Sequence, residues 1–506
     1  MLFVVAAAAA LGAWAETETV GGYTWLQKRT LADLPHRAGC GIIHAMKKIS
    51  VMLSAALAAS VVFANAWDGV LIKGRTDKDN PVGYKSGEPI VFTLVASEVP
   101  AELENAGYMV DWKRTGDDGK VESGKVPFKS GELCKVTTKH SVPGFVRLEA
   151  YVVDANGKKV MRDKTAPGAP NWQSYLKEVF FDGGAGVDVD KIGRFTPEPK
   201  DFDAWWDKQR KLLASVPLKA TRKEVKTVQG VKIYELYVDC YGPRPVSGYL
   251  FIPEGAAPKS CRARCGFQGY GFYKQGCPEW AAWTCKSRNE IFLEINAHGY
   301  ELGREQAYYD EFGKGIHPEG YSYAFSPEEN AKPETAYFRF MALRVMRALE
   351  YVKSLPEWNG KDLVAEGGSQ GGLQTVWAAG LDPDVSLARP SIAWGCNFSA
   401  TEPGGRLHGG WFVKYAPGLE YYDTVSHIAR AKCPVEIPRA GLGDSVCPPS
   451  GQAALFNAIK TPKSILWVQG SQHGLVPPQP NQTYKIGDFD STGGESKSQS
   501  ASSDVK

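Results

Sequence analysis

From residue 231 to residue 470 the chain alternates short β-branched, apolar runs with longer segments of helical period. The strand-like runs are 231-VKIYELYVDC-240, 246-VSGYLFIPEG-255, 262-RARCGFQGYG-271, 290-EIFLEINAHG-299, 362-DLVAEGG-368, 387-LARPSIAWG-395, 434-PVEIPRAGL-442 and 464-SILWVQG-470. Helical patterns at 338–355, from Gln370 onward and at 450–460 separate several of them. Strands joined through helices form a mostly parallel sheet covered on both faces, because each crossover helix must pack back onto the sheet. The first two runs are joined hairpin-fashion, so the sheet starts antiparallel. The expected fold class is α/β, a doubly wound and mostly parallel sheet.

Ahead of this region the rhythm differs. Residues 67–165 carry 89-PIVFTLVA-96, 108-YMVDWKR-114 and 144-GFVRLEAYVVD-154 with turn signals between them and no helical pattern. That spacing predicts a small immunoglobulin-like β-sandwich without chemistry of its own, a packing, spacing or oligomer-contact module. The Pro/Gly-rich 165-TAPGAPNW-172 predicts a linker over 166–194, with the α/β domain following over 195–485. A helix is expected over 201–217, capped by Asp201 or Asp203. The Ser-rich end, 486–506, has the composition of a disordered tail.

At the N-terminal end, 46-MKKISVMLSAALAASVVFANA-66 has a basic start, an apolar stretch and an Ala-x-Ala site, the pattern of a secretory signal. Translation from Met46 is the expectation, with residues 1–45 upstream of the true start, so the protein is secreted or periplasmic and free of the membrane after cleavage. Of ten cysteines, nine follow Ala66. An odd count leaves one thiol unpaired; export permits one or two disulfides, and buried free thiols fit equally. Cys261, Cys265, Cys277 and Cys285 fit no common zinc spacing. The net charge of +3 with no dense basic block excludes nucleic acid as partner. The 14 Trp and 22 Tyr suit stacking on sugars as well as a large core.

The chemistry concentrates at 367-GGSQG-371, a Gly-x-Ser-x-Gly sequence between a strand and a helix. Glycines there serve either close strand–helix packing or a nucleophile elbow; the strand–helix context predicts the elbow, with serine on a strained turn, Oγ exposed above the sheet and the N–H of the next residue, Gln370, facing an oxyanion. In an α/β-hydrolase an acid and then a histidine follow the serine. Asp444 in 441-GLGDSVCPPS-450 and His473 in 467-WVQGSQHG-474 each follow a strand at the same sheet edge. Asp444 shaping its own turn, and His408 as base, are the alternatives; His427 reads as core or surface. In 266-GFQGYGF-272, after the third strand, the Tyr270 N–H is the candidate second oxyanion donor. His298 and Tyr300, after the fourth strand, are candidates for contact with substrate, and a satisfied structural histidine fits His298 at least as well.

These residues resemble the acetyl xylan esterase/cephalosporin-C deacetylase family of α/β-hydrolases over roughly 195–475. The carrying motifs are 268-QGYG-271, 367-GGSQGG-372, 441-GLGDSVCPPS-450 and 464-SILWVQGSQHG-474. The resemblance implies removal of acetyl groups from xylo-oligosaccharides or other small acetyl esters. It assigns Ser369, Asp444 and His473 to catalysis and the N–H groups of Tyr270 and Gln370 to the oxyanion. It implies no metal or other cofactor, and it allows a homo-oligomer. The chain departs from the family pattern at 297-AHGYELG-303 and at His473-Gly474, and 475-LVPPQPNQTYK-485 stands where a helix follows the histidine.

An insert at about 300–337, rich in tyrosine, reads either as a lid contacting sugar or as a segment burying its own small core. The rival functions are another serine hydrolase, a peptidase or an aryl-acid esterase, and a non-catalytic carbohydrate-binding protein with a relict hydrolase fold.

Overall fold

The computed structural model describes residues 13–20, 23–30, 67, 69–161, 178–272, 276–318, 320–405, 411–473 and 482–490. The signal-like segment 46–66, His408 and the tail beyond 490 lie outside the described residues. The chain divides into two units, residues 1–64 and 65–506. In the first, β1 (Ala13–Val20) and β2 (Tyr23–Thr30) pair antiparallel.

The second unit begins with two antiparallel sheets. One joins β3 (Ile72–Thr76), β4 (Pro89–Ala96) and β7 (Gly131–Lys139). The other runs in the order β6 (Glu122–Pro127), β5 (Met109–Gly116), β8 (Gly144–Val153) and β9 (Phe180–Val187). Alternation along β4 turns Ile90, Phe92 and Leu94 inward, and β8 does the same with Val146, Leu148, Ala150 and Val152. These side chains share one core with Phe181, Ala185 and Val187 of β9. The linker expected over 166–194 is corrected here: β9 lies inside it. Its sequence, FFDGGAGV, hides its strand character because three glycines replace the usual branched residues.

A ten-stranded sheet makes up the rest, in the order β10-β11-β12-β14-β13-β15-β16-β17-β18-β19. These strands are β10 (Ala220–Val228), β11 (Val231–Val238), β12 (Val246–Pro253), β13 (Cys261–Phe267), β14 (Glu290–Ile295), β15 (Trp358–Gly368), β16 (Leu387–Ser391), β17 (Val435–Gly441), β18 (Lys463–Val468) and β19 (Thr483–Ile486). Pairing is antiparallel from β10 to the β12–β14 contact, parallel from β14 through β18, and antiparallel again at β19. Thus a strand, β19, follows the histidine segment. Buried strands such as β12 are apolar on both faces, as a sheet covered on both sides requires.

The helix Phe202–Ala214 buries Trp205, Trp206 and Leu213. Neither expected cap acts as one: Asp201 accepts from the Tyr421 hydroxyl at 2.6 Å and Asp203 from Arg430 at 2.6 Å. The helix Phe338–Ser354 packs against the sheet, and its Met341, Leu343, Val345 and Val352 are all buried. The nine described cysteines are free thiols. No helix among the described residues is long and apolar enough to cross a membrane.

Candidate active site

Ser369 stands between β15 and the helix Gln370–Leu381 with φ 59° and ψ −120°. A non-glycine residue there costs on the order of 1–3 kcal/mol, so the surrounding structure must hold it. Three backbone bonds do: Ser369 N–H donates to Ser391 O at 3.0 Å, and Ser369 O accepts from Trp394 N at 3.0 Å and Leu373 N at 3.1 Å. The glycines permit the crossing of strand and helix. A Cβ at Gly371 would lie 2.1 Å from Phe267 O, and one at Gly367 would lie 2.7 Å from Gly371. The same residues that expose the serine therefore also pack the junction.

Asp444 follows β17 and is 1% exposed. Its Oδ1 accepts from the N–H groups of Val446 at 2.9 Å and Cys447 at 2.8 Å. Its Oδ2 lies 3.0 Å from His473 Nδ1. His473 follows β18, and its Nε2 lies 3.1 Å from Ser369 Oγ. A carboxylate only accepts, so Nδ1 carries the proton to Asp444 and Nε2 is left to accept from the serine hydroxyl. Residues far apart in sequence thus form one hydrogen-bonded chain at the C-terminal edge of the sheet. Geometrically this is a nucleophile within reach of a base whose tautomer is fixed by an acid.

The loop after β13 carries Tyr270. It is tied to the elbow helix by Gln374 Nε2 donating to Gln268 O at 3.0 Å and Gln370 Nε2 donating to Gly269 O at 3.4 Å. Tyr323 closes the link: it accepts from Gly271 N–H at 3.0 Å and donates to Gln370 Oε1 at 3.0 Å. The first amides of a helix have no intrahelical acceptor, so the Gln370 N–H is available beside Ser369.

His298 and Tyr300 are buried, which corrects the expectation that they touch substrate and favours the structural reading of His298. They are 0% and 1% exposed. His298 Nε2–H donates to Gly271 O at 3.0 Å, which leaves Nδ1 to accept from the Tyr337 hydroxyl at 2.8 Å. Burial holds this ring neutral, with its pKa pushed down to about 3. Its position is structural: it fixes the far end of the Tyr270 loop. His427 is also buried, between Trp206 and Phe202, and donates to or accepts from nothing in the site.

The insert likewise favours packing over a lid for most of its rings. Tyr300 and Tyr309 share a core with Phe251 and Phe292, and Tyr323 is 0% exposed; Tyr321, at 43%, is the exception. Half-buried Tyr270, Phe325 and Trp411 form an aromatic wall, with ring centroids 4.5 Å apart for Tyr270–Trp411 and 4.7 Å for Phe325–Trp411. A shallow cleft adjoins the site, lined by Trp394, Cys396, Phe398, Val413, Val446 and Cys447 among others.

Reading the sequence alone missed Cys447 and Tyr323 as parts of the site. The Cys447 thiol is buried beside the triad, and burial holds its pKa well above the usual range, so it stays protonated. Ligand atoms of Asp444, Cys447 and His473 lie within 4.8 Å of one another. The Asp444 and His473 atoms are already engaged in the hydrogen bonds above.

A family model described as acetyl xylan esterase (AXE1) matches residues 188–402 and 414–489. An acetyl esterase, Axe7A, of Xylanibacter ruminicola is 27% identical over 365 residues, covering 70% of this chain and 76% of that protein. An acetyl xylan esterase from Paenibacillus sp. R4 is 24% identical over 57% of this chain and 94% of its own, with a TM-score of 0.48. Acetyl xylan esterase 1 from Thermoanaerobacterium sp. JW/SL YS485 is 20% identical, over 57% and 93%, at the same TM-score of 0.48.

Proposed function

This chain belongs to the acetyl xylan esterase family and is a carboxylic ester hydrolase, and on that premise we propose that it removes acetyl groups from xylan-derived oligosaccharides by serine catalysis. The observation that carries the reading is the chain Asp444–His473–Ser369, with contacts of 3.0 and 3.1 Å, on a serine held at positive φ.

In this reading Ser369 Oγ attacks the acetyl carbonyl carbon while His473 Nε2 takes its proton. Asp444 keeps the imidazole oriented and stabilises the charge that forms on it. The N–H groups of Gln370 and Tyr270 hold the developing oxyanion, each contributing on the order of 3 kcal/mol in the transition state. His473 returns the proton to the leaving sugar hydroxyl, and the acetyl group stays on Ser369. Water then attacks this ester, with His473 again taking a proton, and acetate leaves. The aromatic wall of Tyr270 and Trp411 supplies faces on which a sugar ring stacks.

The same reading includes export directed by residues 46–66, and an immunoglobulin-like sandwich for the two N-terminal sheets. The test is a substrate comparison: acetate release from acetylated xylo-oligosaccharides beside ferulate release from feruloyl esters and cleavage of peptide anilides. Acetate release dominating by kcat/KM supports the proposal. Dominant ferulate or peptide turnover replaces it with the corresponding hydrolase.

A further inference from the structure

The strand β9 ends just before the first residue matched by the family model, residue 188. It nevertheless touches the loops that carry both partners of Ser369. Gly184 N–H donates to Gln469 Oε1 at 3.0 Å, and Gln469 Nε2 donates back to Gly184 O at 2.6 Å. Three residues on, Gln472 Nε2 donates to Asp182 Oδ2 at 2.7 Å. Gln472 is the residue before His473. On the acid side the approach is backbone to backbone. A Cβ at Gly443, the residue before Asp444, would lie 2.2 Å from Asp182 O, and one at Gly184 would lie 2.8 Å from Leu442 O. The two loops also hold each other, since Gly443 N–H donates to Ser471 O at 3.1 Å.

Asp182 is itself fixed. It is 0% exposed and paired with Arg147 of the adjacent strand β8, Nε to Oδ1 at 2.8 Å and Nη2 to Oδ2 at 2.6 Å. Such fork-on-fork pairs set orientation as well as charge. The His473 side chain, by contrast, is 26% exposed. A base half-open to solvent keeps its reach to the nucleophile only if the backbone beneath it is anchored.

We propose that Asp182, clamped by Arg147 and bonded to Gln472, is a positioning residue for His473. The N-terminal sheets then belong to the catalytic apparatus and are not a spacer. This rests on the reading of His473 as the base. The physical argument is that displacement of a reacting group by about 1 Å can cost on the order of 100-fold in rate.

The experiment uses the full chain with p-nitrophenyl acetate and four proteins: wild type, Gln472→Ala, Asp182→Asn and the double variant. Ser369→Ala serves as blank. Gln472→Ala should lower kcat by roughly 10- to 100-fold with KM within about twofold, at an unfolding midpoint close to wild type. The double variant should fall no further than the worse single one, because both act through one contact. A Gln472→Ala enzyme with kcat within twofold of wild type, or losses that multiply in the double variant, overturns the proposal. If Asp182→Asn fails to fold, Gln472→Ala alone decides. An inactive wild type would instead sink the esterase reading, so the two failures are distinguishable.

Discussion

Tyr323 donates its buried hydroxyl to Gln370 Oε1 across 3.0 Å while accepting the Gly271 N–H at the same distance. One oxygen therefore joins the Gly271 loop to the helix that follows Ser369. Tyr323→Phe deletes this joint and strands a buried donor and a buried acceptor. The expected cost is about 1–3 kcal/mol of stability. In the proposed mechanism the same change should lower kcat about 10-fold with KM little altered, since it loosens the spacing of the two proposed oxyanion donors. Denaturant unfolding and steady-state kinetics check both; a stability loss with unchanged kcat would assign Tyr323 to packing alone.

The glycines around Ser369 are not equivalent. A Cβ at Gly371 would meet Phe267 O at 2.1 Å, whereas the nearest atom to one at Gly368 is Ser391 O at 3.9 Å. Gly371→Ala should therefore destabilise by roughly 3 kcal/mol or prevent folding, as overpacking against backbone does. Gly368→Ala should stay within about 1 kcal/mol of wild type. Urea midpoints of the two variants measure the contrast; equal losses would contradict the geometry.

Asp444→Asn keeps the shape of the acid but removes its charge and permits the wrong imidazole tautomer. kcat should fall on the order of 10⁴-fold with KM nearly unchanged. The two amide bonds from Val446 and Cys447 reach Oδ1, so the loop should keep its fold. A loss below about 10-fold would show that Asp444 merely shapes its turn, since general-base catalysis typically contributes at least 10²-fold.

Buried histidines make acid costly, His298 and His427 most of all. Burial pushes the pKa values of His298 and His427 down to about 3, from an ordinary 6.5. Between about 6.5 and 3 the unfolded chain binds protons that the folded chain refuses, so stability falls as pH falls. Burial raises Asp182 and Asp423 to about 6, from 3.8. Between 6 and 3.8 the folded chain therefore binds the extra protons, and these terms oppose the first pair. His298→Asn removes one histidine contribution. Relative to wild type, its unfolding free energy should improve by about 1.4 kcal/mol for each unit of pH lowered from 6 to 4. An offset independent of pH would contradict a neutral, buried His298.

The main sheet and the site edge were legible because their signals are local: period, turn residues and a Gly-x-Ser-x-Gly at a strand–helix junction. What escaped is nonlocal. β10, ATRKEVKTV, has six leading exposed residues and shows no apolar face, because it is an edge strand wetted by solvent. β9 was hidden by the glycines that let Gln469 and Leu442 approach it. The sequence position of His298 allows a pocket role and a structural one alike; only the fold reveals that both ring nitrogens are engaged. Tyr323 carried no motif, and its role arises from meeting Gly271 and Gln370 in space.

The most direct test of the central claim measures acetate release from acetylated xylo-oligosaccharides by wild type and Ser369→Ala, with intact-mass analysis after a serine-directed phosphonate. Wild type should release acetate and gain one label per chain at Ser369, and the variant should do neither. Acetate release surviving in Ser369→Ala, or a label settling on another residue, would contradict the account.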